Sequence, residues 1–231
     1  VSFNGAIFES VKNVDYTGSS AYEGGQNEDG SPALRGLIEY NTDHPVTIPG
    51  LNQLVAHEIV PGHYIDSAVA DIGWRSGRLG FEAAAHTMCT GEVAMREGLA
   101  QNALAMALGG SEEDVIDILG PDQTIEFLLE RLQDAGKQNA SILYQGRDMS
   151  IEKVREYLAN ACVMPDPIVK KLSGSWATHP IIGPMYGQAY ATGHAVVAEA
   201  IRKFGPQTVA AAAFHQHGYL DLGAFERAVE Q

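Results

Sequence analysis

Cysteine is scarce in this 231-residue chain, which holds only Cys89 and Cys162. Two thiols cannot make a disulfide framework, although one bridge and two buried thiols both stay open. Basic runs are absent, and 15 basic against 29 acidic side chains leave a net charge of −14. That balance argues against nucleic-acid binding. An anionic surface would repel acidic membranes or substrates, but a well-solvated surface accounts for the charge equally well. No apolar stretch reaches the roughly 20 residues needed to cross a bilayer, so no membrane span is expected. Internal repeats and low-complexity segments are missing too. Neither Met nor a signal peptide opens the chain; Val1 runs directly into strand-like sequence.

What is present suits a globular unit of enzyme size. Hydrophobic residues at 45% and charged residues at 19% exclude global disorder. This length buries one substantial core, so residues 1–231 read as one domain. The expected architecture is α+β and predominantly helical, with short strands over 1–48 and helices over 51–231. Ser2 to Glu9 reads as a strand, Asp15 to Ser31 as a loop rich in Gly, Ser and Asn, and Leu34 to Tyr40 as a second strand. Helices are predicted over Leu51–Val60, Tyr64–Ile72, Phe81–Leu108, Thr124–Gln145, Ser150–Asn160, Ile182–Phe204, Gln207–His215 and Leu222–Val229. Ser150 is the expected N-cap of its helix, with Lys153 in place of the usual Glu or Gln.

His57-Glu58-Ile59-Val60-Pro61-Gly62-His63 concentrates the chemistry. Two imidazoles can ligate zinc, and a glutamate beside the first can act as general base toward water on the metal. The familiar helical form places the second histidine at i+4. Here that position is Pro61, and His63 stands at i+6, about 120° around an ideal helix. An unbroken helix cannot aim both rings at one ion. Pro61 and Gly62 could break it and swing His63 back, or the helix could simply end there with two surface histidines.

The H-E-x-x-P-G-H string resembles the signature of a bacterial zincin-like family, domain of unknown function number 885. Further segments agree in order: Arg35-Gly36, Asn41-Thr42 and Pro45 upstream; Glu97-Gly98-Leu99-Ala100, similar to an E-G-W-A element; Arg131-Leu132; Pro184, Tyr190 and Gly193; and Phe214-His215. Members of that family run to roughly twice this length. The chain is therefore expected to be a fragment, a processed form or a short relative, representing the C-terminal metal-binding half. The resemblance implies a zincin-like metalloprotease-type fold. By analogy, the second strand would align extended substrate at a sheet edge; a plain packing strand is the alternative.

A catalytic zinc needs a third protein ligand and an open position. The resemblance points to Glu97, with Glu92 on the same helix as rival and a solvated carboxylate as the plain alternative. His86 shares the helix face of Glu97 but lies about 16 Å along the axis, too far to share an ion. It could line the cleft or pair with Glu82. Tyr190 is the candidate oxyanion donor, with Tyr186 and His194 as alternatives and a buried, satisfied tyrosine as the plain reading. Asp66 is a candidate to orient His63. His215-Gln216-His217 reads as surface. Leu99 and Asn102 stand where the family has aromatic residues, and Ser141 and Gln145 stand where it often has Asp and His, so the substrate could differ.

The sequence thus leads to a zinc-dependent hydrolase of peptide or amide bonds. Zn2+ is held by His57, His63 and Glu97, and Glu58 and Tyr190 are catalytic. The expected partner is a small peptide or amide substrate, with an oligomer or second chain left open. Two rivals stand beside it: a non-catalytic helical module or subunit that keeps the motif, and a metal hydrolase of non-peptide amides. Compartment is open, cytoplasm being marginally favoured over periplasm or secretion.

Overall fold

The strand β3 (Pro32–Asn41) turns Leu34, Gly36 and Ile38 inward on alternate residues and so presents one face for burial. It is flanked on both sides. β1 (Ala6–Val11) runs parallel along one edge and β2 (Gly18–Gln26) antiparallel along the other, giving the sheet order β1-β3-β2. The structure, a computed structural model, describes residues 5–14, 16–43, 46–84, 87–216 and 221–231. Ser2 to Asn4, Asp15, Pro45, His86 and His217 lie outside those residues, as does the side chain of His215.

Two expectations about the sheet are corrected. The segment read as a loop over 15–31 contains β2. Its sequence, GSSAYEGGQ, has little intrinsic strand preference, and its pairing with β3 makes it a strand. Tyr22 anchors it by packing on Tyr64, with ring centroids 6.2 Å apart, and by donating to Asp71 at 2.8 Å. Gly24 and Gly25, at φ 62° and 91°, carry the register shift of a bulge. The second correction concerns β3. Both its edges are already paired, so it cannot align a substrate strand, which needs an open edge.

Helices supply the rest. α1 (Ile48–Glu58) starts earlier than expected, where Thr47 Oγ1 accepts from the Gly50 N–H at 3.0 Å and Pro49 fits the first turn. α2 spans His63–Arg75. The long helix expected over 81–108 is broken into a 3-10 turn at Phe81–Ala84, α3 (Gly91–Gln101) and α4 (Ala103–Ala107). Cys89 has a left-handed φ of 64°, which a helix interior cannot hold. Asn102 marks the other break, and its side chain donates to Gly98 O at 2.8 Å and His194 O at 3.2 Å.

α5 (Glu112–Leu119) was not expected, although Ser111 and Asp114 cap it reciprocally. α6 (Pro121–Ser141) passes into a wide turn at Ile142–Gly146. α7 (Ile151–Asn160) begins at the expected N-cap, Ser150, and the short α8 (Asp166–Lys171) follows. α9 (Gly187–Phe204), α10 (Pro206–Ala211) and α11 (Leu222–Val229) complete the chain.

The apolar core is divided. Met95, Leu99, Val197, Val209 and Phe225 knit α3, α9, α10 and α11. Val154, Leu158, Cys162 and Val169 join α7 to α8. Ala56, Leu104, Val115 and Phe127 bind α1 to α4, α5 and α6, and Ile38, Ile59 and Tyr64 fix the sheet to α1 and α2. Each fully buried large side chain contributes roughly 1.5–3 kcal/mol. Cys89 and Cys162 are free thiols, so no bridge joins them. Among the described residues no helix is long and apolar enough to cross a membrane. The chain is therefore predominantly helical with a small three-stranded N-terminal sheet, as the sequence reading expected.

Candidate metal centre

The motif helix does break. α1 ends at Glu58, and α2 starts afresh at His63. The Val60–Pro61 peptide is cis, and Gly62 tucks against the end of α1, donating its N–H to Ala56 O at 3.1 Å. A Cβ at Gly62 would collide with the His57 carbonyl, so this return is open only to glycine. The chain reversal brings the His57 and His63 rings to 4.8 Å between centroids, nearly perpendicular at 87°.

Glu97 reaches the same point from α3. Its Oε2 lies 3.6 Å from Nε2 of both His57 and His63. That is outside hydrogen-bond range, and this buried oxygen has no hydrogen-bond partner among the described residues. Its other oxygen accepts from the Tyr186 hydroxyl at 2.7 Å. Glu92, the rival ligand, instead lies 3.9 Å from Arg96. The donor atoms of His57, Glu58 and His63 lie within 4.8 Å of one another, a cluster able to hold a metal ion.

The donor set fits a divalent cation. Ligand atoms about 2.0–2.1 Å from a tetrahedral zinc stand roughly 3.3 Å apart, near the spacing between Glu97 and each imidazole. A cation also offers Glu97 Oε2 the partner that no donor supplies; leaving such an atom unsatisfied costs about 1–3 kcal/mol or more.

Burial and the mutual charges of these groups set their protonation. Burial, then the charge of His63, pushes the His57 imidazole down to about 3, keeping it neutral. Burial pulls His63 the same way and is the largest single influence, but Glu97 and Glu58 together outweigh it and the net shift is upward. For Glu97, burial raises the carboxyl, and His63, His57 and the Tyr186 hydroxyl reverse that, taking it down to about 2. Burial, reinforced by Glu97 against the pull of His63, lifts Glu58 to about 7, close to the range of a working general base.

Close contact between α3 and α9 assembles the aromatic wall. A Cβ at Gly98 would strike Gly193 O, and one at Gly193 would strike Ala94 O, so the two backbones touch at a pair of glycines. Tyr186 and Tyr190 are thereby set over Glu97. Tyr190 donates to the Tyr186 oxygen at 3.2 Å, and Trp176 packs 5.5 Å from Tyr186 and 6.4 Å from Tyr190.

A cleft of about 320 Å³ opens on His57 and Glu58, walled by Tyr190, Trp176, Lys137 and Glu130. A second cavity of about 430 Å³ surrounds His194, Glu112 and Arg131 but includes none of His57, Glu58, His63 or Glu97. Of these two, only the first adjoins the candidate metal centre.

Other expected residues fall elsewhere. His194 pairs with Glu112 at 2.9 Å in that second cavity, so it is not the donor at this site. Asp66 meets Arg96 at 2.6 Å, and no hydrogen bond links it to His63. Gln145 is used to hold Ala177 O and His179 O, and Leu99 is core. Sequence reasoning missed Gln101, whose Oε1 lies 3.0 Å from His57 Nδ1. Its i+4 spacing from Glu97 was the available signal. Lys137, Glu130 and Trp176 were missed as well; they lie far along the chain and carry no motif. No family model, curated protein or solved structure matches the chain.

Proposed function

We propose that this chain is a zinc-dependent hydrolase of peptide or amide bonds with a zincin-like catalytic centre. The observation that carries the reading is the buried, unpartnered Glu97 Oε2 facing the Nε2 atoms of His57 and His63, 3.6 Å from each, with Glu58 alongside. His57, His63 and Glu97 would hold the ion. When bound, zinc supplies Lewis-acid polarisation of the scissile carbonyl and acidification of the attacking water.

The residues of the chain do the rest. Glu58 takes the proton of the attacking water and returns it to the leaving nitrogen, as a base tuned near neutrality can. Tyr190, on the cleft wall, turns its hydroxyl from Tyr186 toward the oxygen that gains charge. Trp176 and the two tyrosines exclude water from one side.

The test is a set of three variants. Glu58→Gln should retain zinc by elemental analysis and lose turnover of a mixed peptide substrate. Glu97→Ala should lose zinc, and Glu92→Gln should keep both zinc and turnover. Undiminished hydrolysis by Glu58→Gln would refute the assigned base, and full zinc retention by Glu97→Ala would refute the assigned ligand.

A further inference from the structure

Glu58 lines two cavities. One is the polar cleft on His57; the other is an apolar pocket of about 400 Å³ between the sheet and α1. Phe8 of β1, Ile38 of β3, and Leu51, Leu54, Val55 and Ile59 from α1 and its end make up most of its wall. Leu54, like Glu58, faces both cavities. The volume falls in the roughly 300–1,000 Å³ range typical of small-ligand sites.

Several of these side chains are left in contact with water. Phe8 is 64% exposed, Val55 45% and Leu51 37%. Three large apolar groups exposed around one concavity mark a binding surface more than a folding surface, since scattered single residues are the ordinary case. The occupant follows from the shared wall. A group seated here adjoins Glu58, which also faces the polar cleft.

We propose that this pocket is the subsite for a large apolar side chain, Phe or Leu in type, of the peptide substrate, adjoining the bond that Glu58 helps to break. The proposal rests on the hydrolase reading above and specifies its substrate. An acidic side chain is excluded: Glu9 and Glu39 join Glu58 around the pocket, and a carboxylate there would meet like charge while losing water. The polar cleft on the far side of Glu58, with Lys137, Glu126 and Glu130, receives the rest of the peptide through charged and hydrogen-bonding groups.

The test uses pentapeptides Gly-Ala-Xaa-Ala-Gly with Xaa = Phe, Leu, Ala or Asp, and two readouts. Calorimetric binding to the zinc-loaded Glu58→Gln variant should favour the Phe and Leu peptides over Ala by about tenfold or more, with Asp weakest. In the Val55→Asp, Glu58→Gln double variant the Phe-to-Ala ratio should fall to near unity, and Val55→Trp, which fills the pocket, should do the same. Cleavage by wild type, followed by mass spectrometry, should fall at a bond adjoining Phe or Leu with the same order of preference.

Turnover with flat preference overturns the subsite and leaves the hydrolase standing. Discrimination in binding without turnover leaves the subsite standing and removes the hydrolase. A dimer seen by sedimentation and dissociated by Val55→Asp would make the pocket an interface between copies and overturn the proposal.

Discussion

Gln101 donates its side-chain N–H to Asp134, and that bond decides which nitrogen of His57 faces the candidate metal centre. Asp134 is ion-paired with Lys137 at 2.8 Å and can only accept. The Gln101 amide must therefore turn its oxygen to His57 Nδ1, 3.0 Å away. His57 then carries its proton on Nδ1 and presents a bare Nε2 toward Glu97. Gln101 and Asp134 are both buried, so water does not compete for either bond.

Removing this support should loosen metal binding. Gln101→Leu is expected to weaken zinc affinity about 10- to 100-fold, the usual cost of losing a group that orients a ligating imidazole. Competition with a chromophoric chelator measures it, and thermal unfolding of the chelated protein checks that the fold survives. Affinity equal to wild type would show that the ring is fixed by other contacts.

Gly62 is the steric condition for the return of His63. Gly62→Ala must move the carbonyl of His57 or the start of α2, and is expected to destabilise the fold by about 3 kcal/mol. Urea denaturation reads that loss, and zinc content should drop with it. Gly109→Ala is a milder comparison. A Cβ there meets nothing within 4 Å, and only its φ of 83° opposes the change, at a cost of about 1 kcal/mol.

Stability should depend on pH through Glu130. Its carboxylate accepts from Gln53 at 2.7 Å, and burial followed by the nearby Asp134 pushes it up to about 8. An acid raised on folding binds its proton more tightly in the folded chain. It favours the fold at low pH, and this advantage is lost as pH climbs from 4.5, its ordinary value, to about 8. Glu130→Gln stays neutral throughout. Wild type should therefore lose stability relative to the variant across that window and run parallel to it above about pH 8. Urea titrations at stepped pH provide the comparison; a constant gap between the two would contradict the assignment.

The two tyrosines should separate by kinetic signature. Tyr190→Phe is expected to lower kcat about 10²- to 10³-fold with little change in KM, as loss of one oxyanion donor does. Tyr186→Phe removes the hydroxyl that Glu97 accepts at 2.7 Å, so its main effect should fall on zinc affinity. Steady-state kinetics at saturating zinc distinguish them, and an effect of Tyr190→Phe confined to KM would reassign that residue to substrate binding.

Much of the site was legible because its residues are neighbours in the chain. His57, Glu58 and His63 lie within one seven-residue string, and the Pro-Gly pair between them names the place where a helix must break. Glu97 was reachable only through family resemblance, since thirty-four residues and a chain reversal separate it from His63. β2 was illegible: its glycines and serines carry no strand signal, and its order comes from β3 and from Tyr64. The break at Cys89 and the cap at Asn102 were hidden for a similar reason, as one rests on backbone dihedrals and the other on a contact with α9.

Amino-acid order alone determined the helical character of the chain and the interruption at Pro61-Gly62, and it nominated the two imidazoles, because each depends on local sterics and spacing. Tertiary structure decided that Glu97 rather than Glu92 meets those rings, that β3 is central, and that Gln101 and Asp134 hold His57. These outcomes depend on how α3 crosses α9 and how α6 lies beside α1. Such crossings are set by packing between segments far apart in the chain, where glycines let backbones touch and buried polar groups must find partners.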